Sequence, residues 1–599
     1  MREIWRELLR LRPYFSRQDK MGYLTLLFLM LLGALLDVIG IGAVPAFVAV
    51  LAVPEQLMQY PIVAELFNRF GLQPGNRLVA TGSVFLLLVF LLKNAYLFWV
   101  YQYQFRLVEY QGVGLTKRLF TAYMYAPYTF ILNRNSAELM RNVQIETKEI
   151  IQGIIIPGLG AFMGAIMTLF TAILLIVVTP WVALVGVVII GGGSALFFRV
   201  VKNRLKRYGL TAKEERKETL KAINHGLGGL VDARMLRREP FFISYLTKSV
   251  ASFARVNRLR QVIAKASPYI LETISVAGLL LIVMALLFTG RDAASLIPTL
   301  ALFGVATMRL RQTVSQIVSG ITQIQYSLPA IGNVLDDLQE LEHTQKKDLK
   351  KKKPAISFQD SIRMEGISFT YPNADSPALQ DIDLTIRRGE SVAFVGATGS
   401  GKSTIVNIIL GLLEPTHGKI TVDGVDIRDN PTNWRSHIGY IPQSIFLTDD
   451  TIARNIAFGL TDAEMNTEQL WTAIRAAQLE DFILSLPQRE QTIVGERGVR
   501  LSGGQRQRIG LARALYHNPD ILIMDEATSA LDNQTESLVM EALENLRAER
   551  TFIMIAHRLS TVEQCDRLYY LQDGSIAGIG TFSELALDNQ YFREMVEAQ

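Results

Sequence analysis

The chain has 599 residues, of which 49% are hydrophobic, a single cysteine and a formal net charge of +5. That length exceeds what one compact core sustains, and the lone Cys565 excludes an internal disulfide framework and a cysteine-based metal cluster. The basic residues sit beside hydrophobic runs and form no stripe interleaved with aromatics, so the charge points to membrane topology and away from nucleic acid. The apolar residues crowd into the first half as long runs, which makes the N-terminal half membrane-like and the C-terminal half soluble in character.

In chain order, Met1 to Lys20 interleaves Arg2, Arg6, Arg10, Arg12, Arg17 and Lys20 with Ile4, Leu8, Leu9 and Leu11, an amphipathic basic approach to a bilayer. The next run is too long for a signal-peptide core and lacks a small-residue cleavage site, so it reads as a retained spanning helix. Spans of about 20 apolar residues fall at Tyr23 to Ala52, Thr81 to Tyr103, Ile151 to Val178, Trp181 to Val200, Tyr269 to Phe288 and Ala294 to Thr307. Arginine and lysine cluster before the first run, between the second and third (Lys117, Arg118, Arg134, Arg141), between the fourth and fifth (Lys202 to Arg260), and after the sixth. The positive-inside rule then places these segments and both termini in the cytoplasm.

The cytoplasmic connections carry helix-forming sequence that would extend past the bilayer. Asn135-Ser136-Ala137-Glu138 has the residues of a capping box ahead of the third run, and the short stretch Tyr128 to Asn133 before it is suited to docking on another domain. His225-Gly226-Leu227-Gly228-Gly229 marks a second break in the corresponding place, readable also as a plain loop. The charge run Lys346 to Lys353, closed by Pro354, reads as a linker. Beyond it, the β-branched runs Ser391 to Val395, Ile521 to Met524 and Thr551 to Ile555 alternate with helical stretches. The expected organisation is an all-α six-helix transmembrane domain over residues 1–335, a basic linker over 336–356, and an α/β P-loop nucleotide-binding domain with parallel strands over 357–599.

Gly396-Ala397-Thr398-Gly399-Ser400-Gly401-Lys402-Ser403 has the phosphate-loop pattern and lies between a strand ending at Val395 and a helix starting near Thr404. Its glycines let backbone N–H groups turn toward phosphate oxygens, Lys402 neutralises phosphate charge, and the Ser403 hydroxyl is placed for Mg²⁺. Ile521-Leu522-Ile523-Met524-Asp525-Glu526 is an apolar strand closed by two carboxylates. Asp525 is positioned to hold Mg²⁺ and Glu526 to polarise an attacking water. Leu501-Ser502-Gly503-Gly504-Gln505, a weak turn signal alone, precedes a helix from Arg506 to Tyr516.

Together these runs resemble the ATP-binding cassette (ABC) proteins. The resemblance assigns Tyr371 to stacking on adenine, Gln443 to the metal site and to linking nucleotide with membrane domain, Asp532 to the loop after the acidic strand, and His557 to the γ-phosphate. It assigns Val494-Gly495-Glu496-Arg497-Gly498 to the exporter segment that touches coupling helices. In this family Leu501 to Gln505, through Ser502 and Gly504, face the phosphate loop of the opposite subunit. The resemblance therefore implies a homodimer with two competent ATP sites, using ATP and Mg²⁺, in a bacterial inner membrane.

The cargo is less legible. Pro54 to Asn76 sets Val63, Leu66, Phe67 and Phe70 on one helical face, suited to the outer leaflet, to lipid, or to packing on the transmembrane core. Charges deep in spans are costly unless they face water or a partner. Arg258, Arg260, Arg309 and Arg311 are thus candidate anion contacts in a substrate cavity, while Arg255 fits snorkelling to the cytoplasm. Leu35 to Val50 and Phe303 to Val318 are similar to flippases of lipid-linked oligosaccharides, whose cargo carries a pyrophosphate. The expectation is outward flipping of such an amphiphile, with a lipid A, multidrug or peptide exporter as the alternative within transporters and an ATP-gated channel as one outside them.

Overall fold

The computed structural model describes residues 2–52, 76–178, 180–287, 293–348, 354–372, 374–525, 550–555 and 562–597. They form two compact units, one of residues 1–126 and 134–347, the other of residues 127–133 and 348–599.

The first unit is helical throughout. A short amphipathic helix α1 (Arg2–Leu11) precedes α2 (Arg17–Ala52) and α3 (Asn76–Met124). After α4 (Tyr128–Leu132) come α5 (Ser136–Val177), α6 (Pro180–Gly228), α7 (Leu230–Met235), α8 (Glu239–Leu287), α9 (Ala293–Ser327) and α10 (Pro329–Asp348). Among the described residues three helical stretches, Arg17–Pro45, Val79–Met124 and Ser136–Val177, are long and apolar enough to cross a membrane. The other three spans expected from sequence fall within α6, α8 and α9, but for Phe288, which lies outside the described residues. The expected outer segment Pro54 to Asn76 lies, but for its last residue, outside the described residues.

Lipid offers helices no hydrophobic drive to associate, so close packing at small residues holds such bundles together. Gly320 of α9 shows this, because a Cβ there would stand 2.6 Å from the carbonyl oxygen of Pro157 on α5. At its start α5 has the expected Asn135 cap, whose side chain accepts from the Ala137 amide at 2.9 Å, but Glu138 turns to Arg141 at 3.4 Å and leaves the reciprocal bond unmade. Two π-helical turns, Asn142–Glu146 and Ile151–Ile155, interrupt α5.

The second unit holds two sheets. One is antiparallel, in the order β2 (Leu379–Arg387), β1 (Ser361–Phe369), β4 (His417–Val422), β5 (Val425–Asp426). The other runs β10 (Ser575–Gly580), β9 (Arg567–Gln572), β3 (Ser391–Val395), β8 (Thr551–Ile555), β7 (Ile521–Asp525), β6 (Ile438–Ile441). All its pairings are parallel except that of β9 with β10. Strands covered on both faces need no polar alternation, which is why SVAFV and TFIMI read as unbroken runs and are buried along their whole length. The helix α4, though early in sequence, belongs to this unit, where Tyr128 packs against the apolar core and Phe130 is buried.

Candidate functional site

The phosphate loop leaves β3 at Val395 and enters α11 (Lys402–Ile409). Two of its glycines are required by sterics. Gly396 has φ 145° and a Cβ there would meet the Leu571 carbonyl oxygen at 2.2 Å; Gly401 has φ 103° and a Cβ would meet Leu379 Cδ2 at 2.6 Å. The Lys402 ammonium curls into the loop and donates to the carbonyls of Gly396 at 2.7 Å and Ala397 at 2.8 Å. Ser400 Oγ is buried and has no hydrogen-bond partner. A buried unpaired hydroxyl is costly, and a phosphate oxygen would satisfy it. The Tyr371 hydroxyl lies 3.2 Å from Thr404 Oγ1, and its ring packs edge-on against Phe369, fixing an aromatic beside the loop.

Asp525 closes β7 and pairs in register with Ile555, the last residue of β8. In the sheet order β3–β8–β7 the phosphate loop and Asp525 therefore emerge from strand ends of the same sense, the place where parallel sheets bind ligands. Glu526, Asp532 and His557 lie outside the described residues. Tyr440 on β6 hydrogen-bonds to Asp525, and burial, reinforced by that negative charge, pushes its phenol up to about 12. Gln443 follows β6 and is exposed. Ser403, Gln443 and Asp525 offer oxygen donors only, the set Mg²⁺ accepts when phosphates supply further ligands; no cluster of three or more His, Cys, Asp or Glu able to hold a metal is present among the described residues.

The signature run does not merely precede a helix: the helix expected from Arg506 starts within the run, at Gly503. α12 (Gly503–Leu515) starts at Ser502, whose side chain accepts from the Gln505 amide at 3.2 Å while Gln505 Oε1 accepts from the Ser502 amide at 2.8 Å. This reciprocal cap leaves Ser502 exposed at a helix N-terminus, where backbone N–H groups and the helix dipole favour an anion. Just before it, Arg497 is held at φ 53° between Gly495 and Gly498, and both Glu496 and Arg497 are exposed.

Two further residues of this region were not singled out in sequence. Arg513 of α12 donates to the carbonyls of Asn455 at 2.8 Å and Phe446 at 2.9 Å. Asn455 is fully buried and clamps Thr448 through the amide at 2.9 Å and the carbonyl at 3.0 Å. The helix that carries the signature thus grips the loop downstream of Gln443. Burial lowers the Arg513 pKa.

The four arginines expected to share a cavity separate into two sets. Arg309 and Arg311 line a cavity of about 720 Å³ in the helical unit together with Asp37, Lys93 and Glu272. Asp37, only 1% exposed, pairs with Lys93 at 3.0 Å and with Arg309 at 2.5 Å, and Arg311 pairs with Glu272 at 3.0 Å. Arg260 does not line this cavity: it donates to Gln323 at 2.7 Å and to Asn257, and lies over the Tyr326 ring. Arg258 is exposed and also stands outside the lining. Position along a span misled here, because α8 turns Arg258 and Arg260 to faces other than the one that meets the cavity.

Residues 379–529 match the ABC transporter family. The chain is 49% identical over 225 residues to an ATP-dependent lipid A-core flippase of Chromobacterium violaceum, a match covering 37% of this chain and 38% of the relative. It is 34% identical over 392 residues to an ATP-dependent lipid A-core flippase of Thiobacillus denitrificans, covering 65% of this chain and 66% of the relative. The matched stretches thus span less than two thirds of either relative's length. A solved bacterial Atm1-family ABC exporter with ATP bound superposes with TM-score 0.75 at 23% identity, over 97% of this chain and 99% of that one. A bundle with apolar helices joined to a phosphate-loop α/β cassette is the architecture of an ABC exporter. Residues 379–529 match the ABC transporter family, and the chain as a whole has the fold of an ABC exporter, one helical unit followed by one cassette.

Proposed function

We propose that the chain is half of an ATP-hydrolysing exporter, that two copies assemble in a bacterial inner membrane with both termini cytoplasmic, and that its cargo is an amphiphile with an anionic headgroup. The phosphate loop carries the ATPase part of this reading. Its backbone amides and Lys402 hold the β- and γ-phosphates, Ser400 donates its otherwise unpaired hydroxyl, and Tyr371 supports the adenine. Glu526 polarises the attacking water and His557 contacts the γ-phosphate. Mg²⁺, held through Ser403, Gln443 and Asp525, supplies charge neutralisation at the phosphates.

The exposed N-terminus of α12 supports completion of each site by a second copy, with Ser502 and Gly504 donating to the γ-phosphate bound by the partner's loop. The short helix α7 supports the same assembly: Val231 and Met235 on it and Leu236 just after it are large, apolar and well exposed, and the helix is too short to span a bilayer. ATP draws the cassettes together, hydrolysis releases them, and the helical units alternate between two openings. Glu526→Gln should keep nucleotide binding and arrest turnover; near-normal ATPase in that variant would sink the assignment.

For the cargo, the single supporting observation is the triad at Asp37. One carboxylate faces two cations in a low-dielectric wall, so the group carries net positive charge at a depth where unmatched charge is expensive. An acidic headgroup entering the cavity would match it. A lipid-linked oligosaccharide, with its pyrophosphate, is our leading cargo; a phosphorylated lipid A-core, suggested by the two relatives, is the second reading. Reconstituted vesicles offered each lipid distinguish them by which is flipped on ATP addition. Normal flipping by Arg309→Ala and Arg311→Ala variants would remove the anionic cavity from the account.

A further inference from the structure

A second, smaller cavity lies further along α2 and α3 from the charged triad, shares no lining residue with the first, and has a different character. It encloses about 320 Å³ where the segment after α1 crosses α3 and the π-helical turn of α5, and it is walled by Leu11, Phe15, Tyr110, Leu115, Ile150 and Ile151. Cavities of roughly 300 Å³ and above are large enough for small organic ligands.

Its floor is one face of α3. Gln111, Gly114, Leu115 and Arg118 follow at the i, i+3, i+4 and i+7 spacing that aligns side chains along a helix. Gly114 leaves that floor open, since a Cβ there would meet nothing within 4 Å. Gln111 is only 7% exposed. Its Oε1 accepts from the Tyr23 hydroxyl, while its Nε2 donor has no partner. Other polar groups of the wall are already paired. Ser16 and Asp19 cap each other at the start of α2, at 2.9 and 3.0 Å. Arg118 at the rim pairs with Glu342 at 2.7 Å and lies over the Tyr14 ring. What the cavity lacks is one acceptor for an amide N–H, set among apolar walls.

We propose that this cavity binds a diacyl phospholipid from the leaflet that meets α1, one acyl chain lying between Phe15, Leu115 and the isoleucines and its ester carbonyl accepting from Gln111 Nε2. The chemistry selects a neutral acceptor on an apolar chain: the cation of the lining, Arg118, is already matched by Glu342, so a free phosphate or carboxylate in the cavity meets no unpaired charge there. The basic amphipathic helix α1, which leads directly into the wall, is the type of element that rests at the lipid headgroups, and Tyr110, largely exposed, lies at the rim. The site does not depend on the transport reading.

The test uses the full chain in nanodiscs containing a diacyl phosphatidylethanolamine with a diazirine near the ester, followed by irradiation and peptide mapping. Label should concentrate on residues 11–19, 110–118 and 150–155. Gly114→Leu, which fills the opening, and Gln111→Glu, which keeps an acceptor for Tyr23 and replaces the amide donor with a second acceptor, should each lower that labelling about tenfold while ATP affinity is unchanged. Labelling spread evenly over all exposed helix faces, or undiminished in either folded variant, would overturn the site. No label in these segments would mean that water alone fills the cavity, and would overturn it equally.

Discussion

The two units solve the problem of holding charge in opposite ways. In the cassette, charge is met by backbone. Gly396 to Lys402 and Ser502 to Gln505 build their geometry within a few residues, from glycine conformations and helix N-termini, and each is complete in its own stretch of chain. In the helical unit the backbone is committed to helices, so the charge buried in the cavity wall is met by side chains far apart in sequence. Asp37 finds Lys93 across 56 positions and Arg309 across 272. Local construction makes a site readable and tolerant of its surroundings. Long-range construction makes it invisible in sequence and dependent on helix packing.

The largest effects that would sharpen this contrast lie in the cassette. Lys402→Ala and Glu526→Gln should each lower ATPase turnover on the order of a hundredfold or more, with the helical unit still folded by near-ultraviolet circular dichroism; loss of fold in both units would show that the cassette site is not local after all. Asp37→Asn should do the reverse. Removing the shared anion leaves buried Lys93 and half-buried Arg309 unmatched and should destabilise the helical unit by about 3 kcal/mol, read as a lower unfolding temperature in detergent, with ATP affinity of the cassette unchanged.

Arg513→Ala is intermediate, because it breaks a long-range tie inside the otherwise local cassette. Two carbonyls lose a charged donor, at a cost of about 1–3 kcal/mol, and the loop after Gln443 should become more susceptible to limited proteolysis. The smallest effect is in alkali. Tyr440 stays protonated to a higher pH in the folded cassette than in the unfolded chain, its pKa standing at about 12 against the usual value near 10. Its contribution to stability is therefore complete below pH ~10 and is lost as pH rises from there through about 12. Tyr440→Phe should flatten the decline in unfolding temperature across that window; an identical decline in the variant would assign the effect elsewhere.

The same contrast accounts for what the sequence conveyed. The strand SVAFV and the phosphate loop were legible because hydrophobic runs and glycines act over short spacings; the Ser502 cap is equally local, but Leu501 to Gln505 reads from sequence only as a turn ahead of a helix. The order of six strands, the grip of Arg513 on Asn455 and the bond from Tyr440 to Asp525 were not, since nothing local distinguishes those residues from surface arginine or core tyrosine. In the helical unit, depth along a span was readable but azimuth was not. Arg309 and Arg311 line a cavity, whereas Arg260 turns to Gln323 and Tyr326, and Asp37, the residue that organises the charge, is hidden inside an apolar run.

The most direct measurement is ATP-driven movement of a lipid-linked oligosaccharide across vesicles containing only this chain, with the Lys402→Ala and Arg309→Ala variants alongside. The account predicts flipping by the native chain on addition of ATP, none by Lys402→Ala, and by Arg309→Ala a marked loss of flipping with basal ATPase retained. Flipping that proceeds without ATP, or at the native rate in Lys402→Ala, would contradict it.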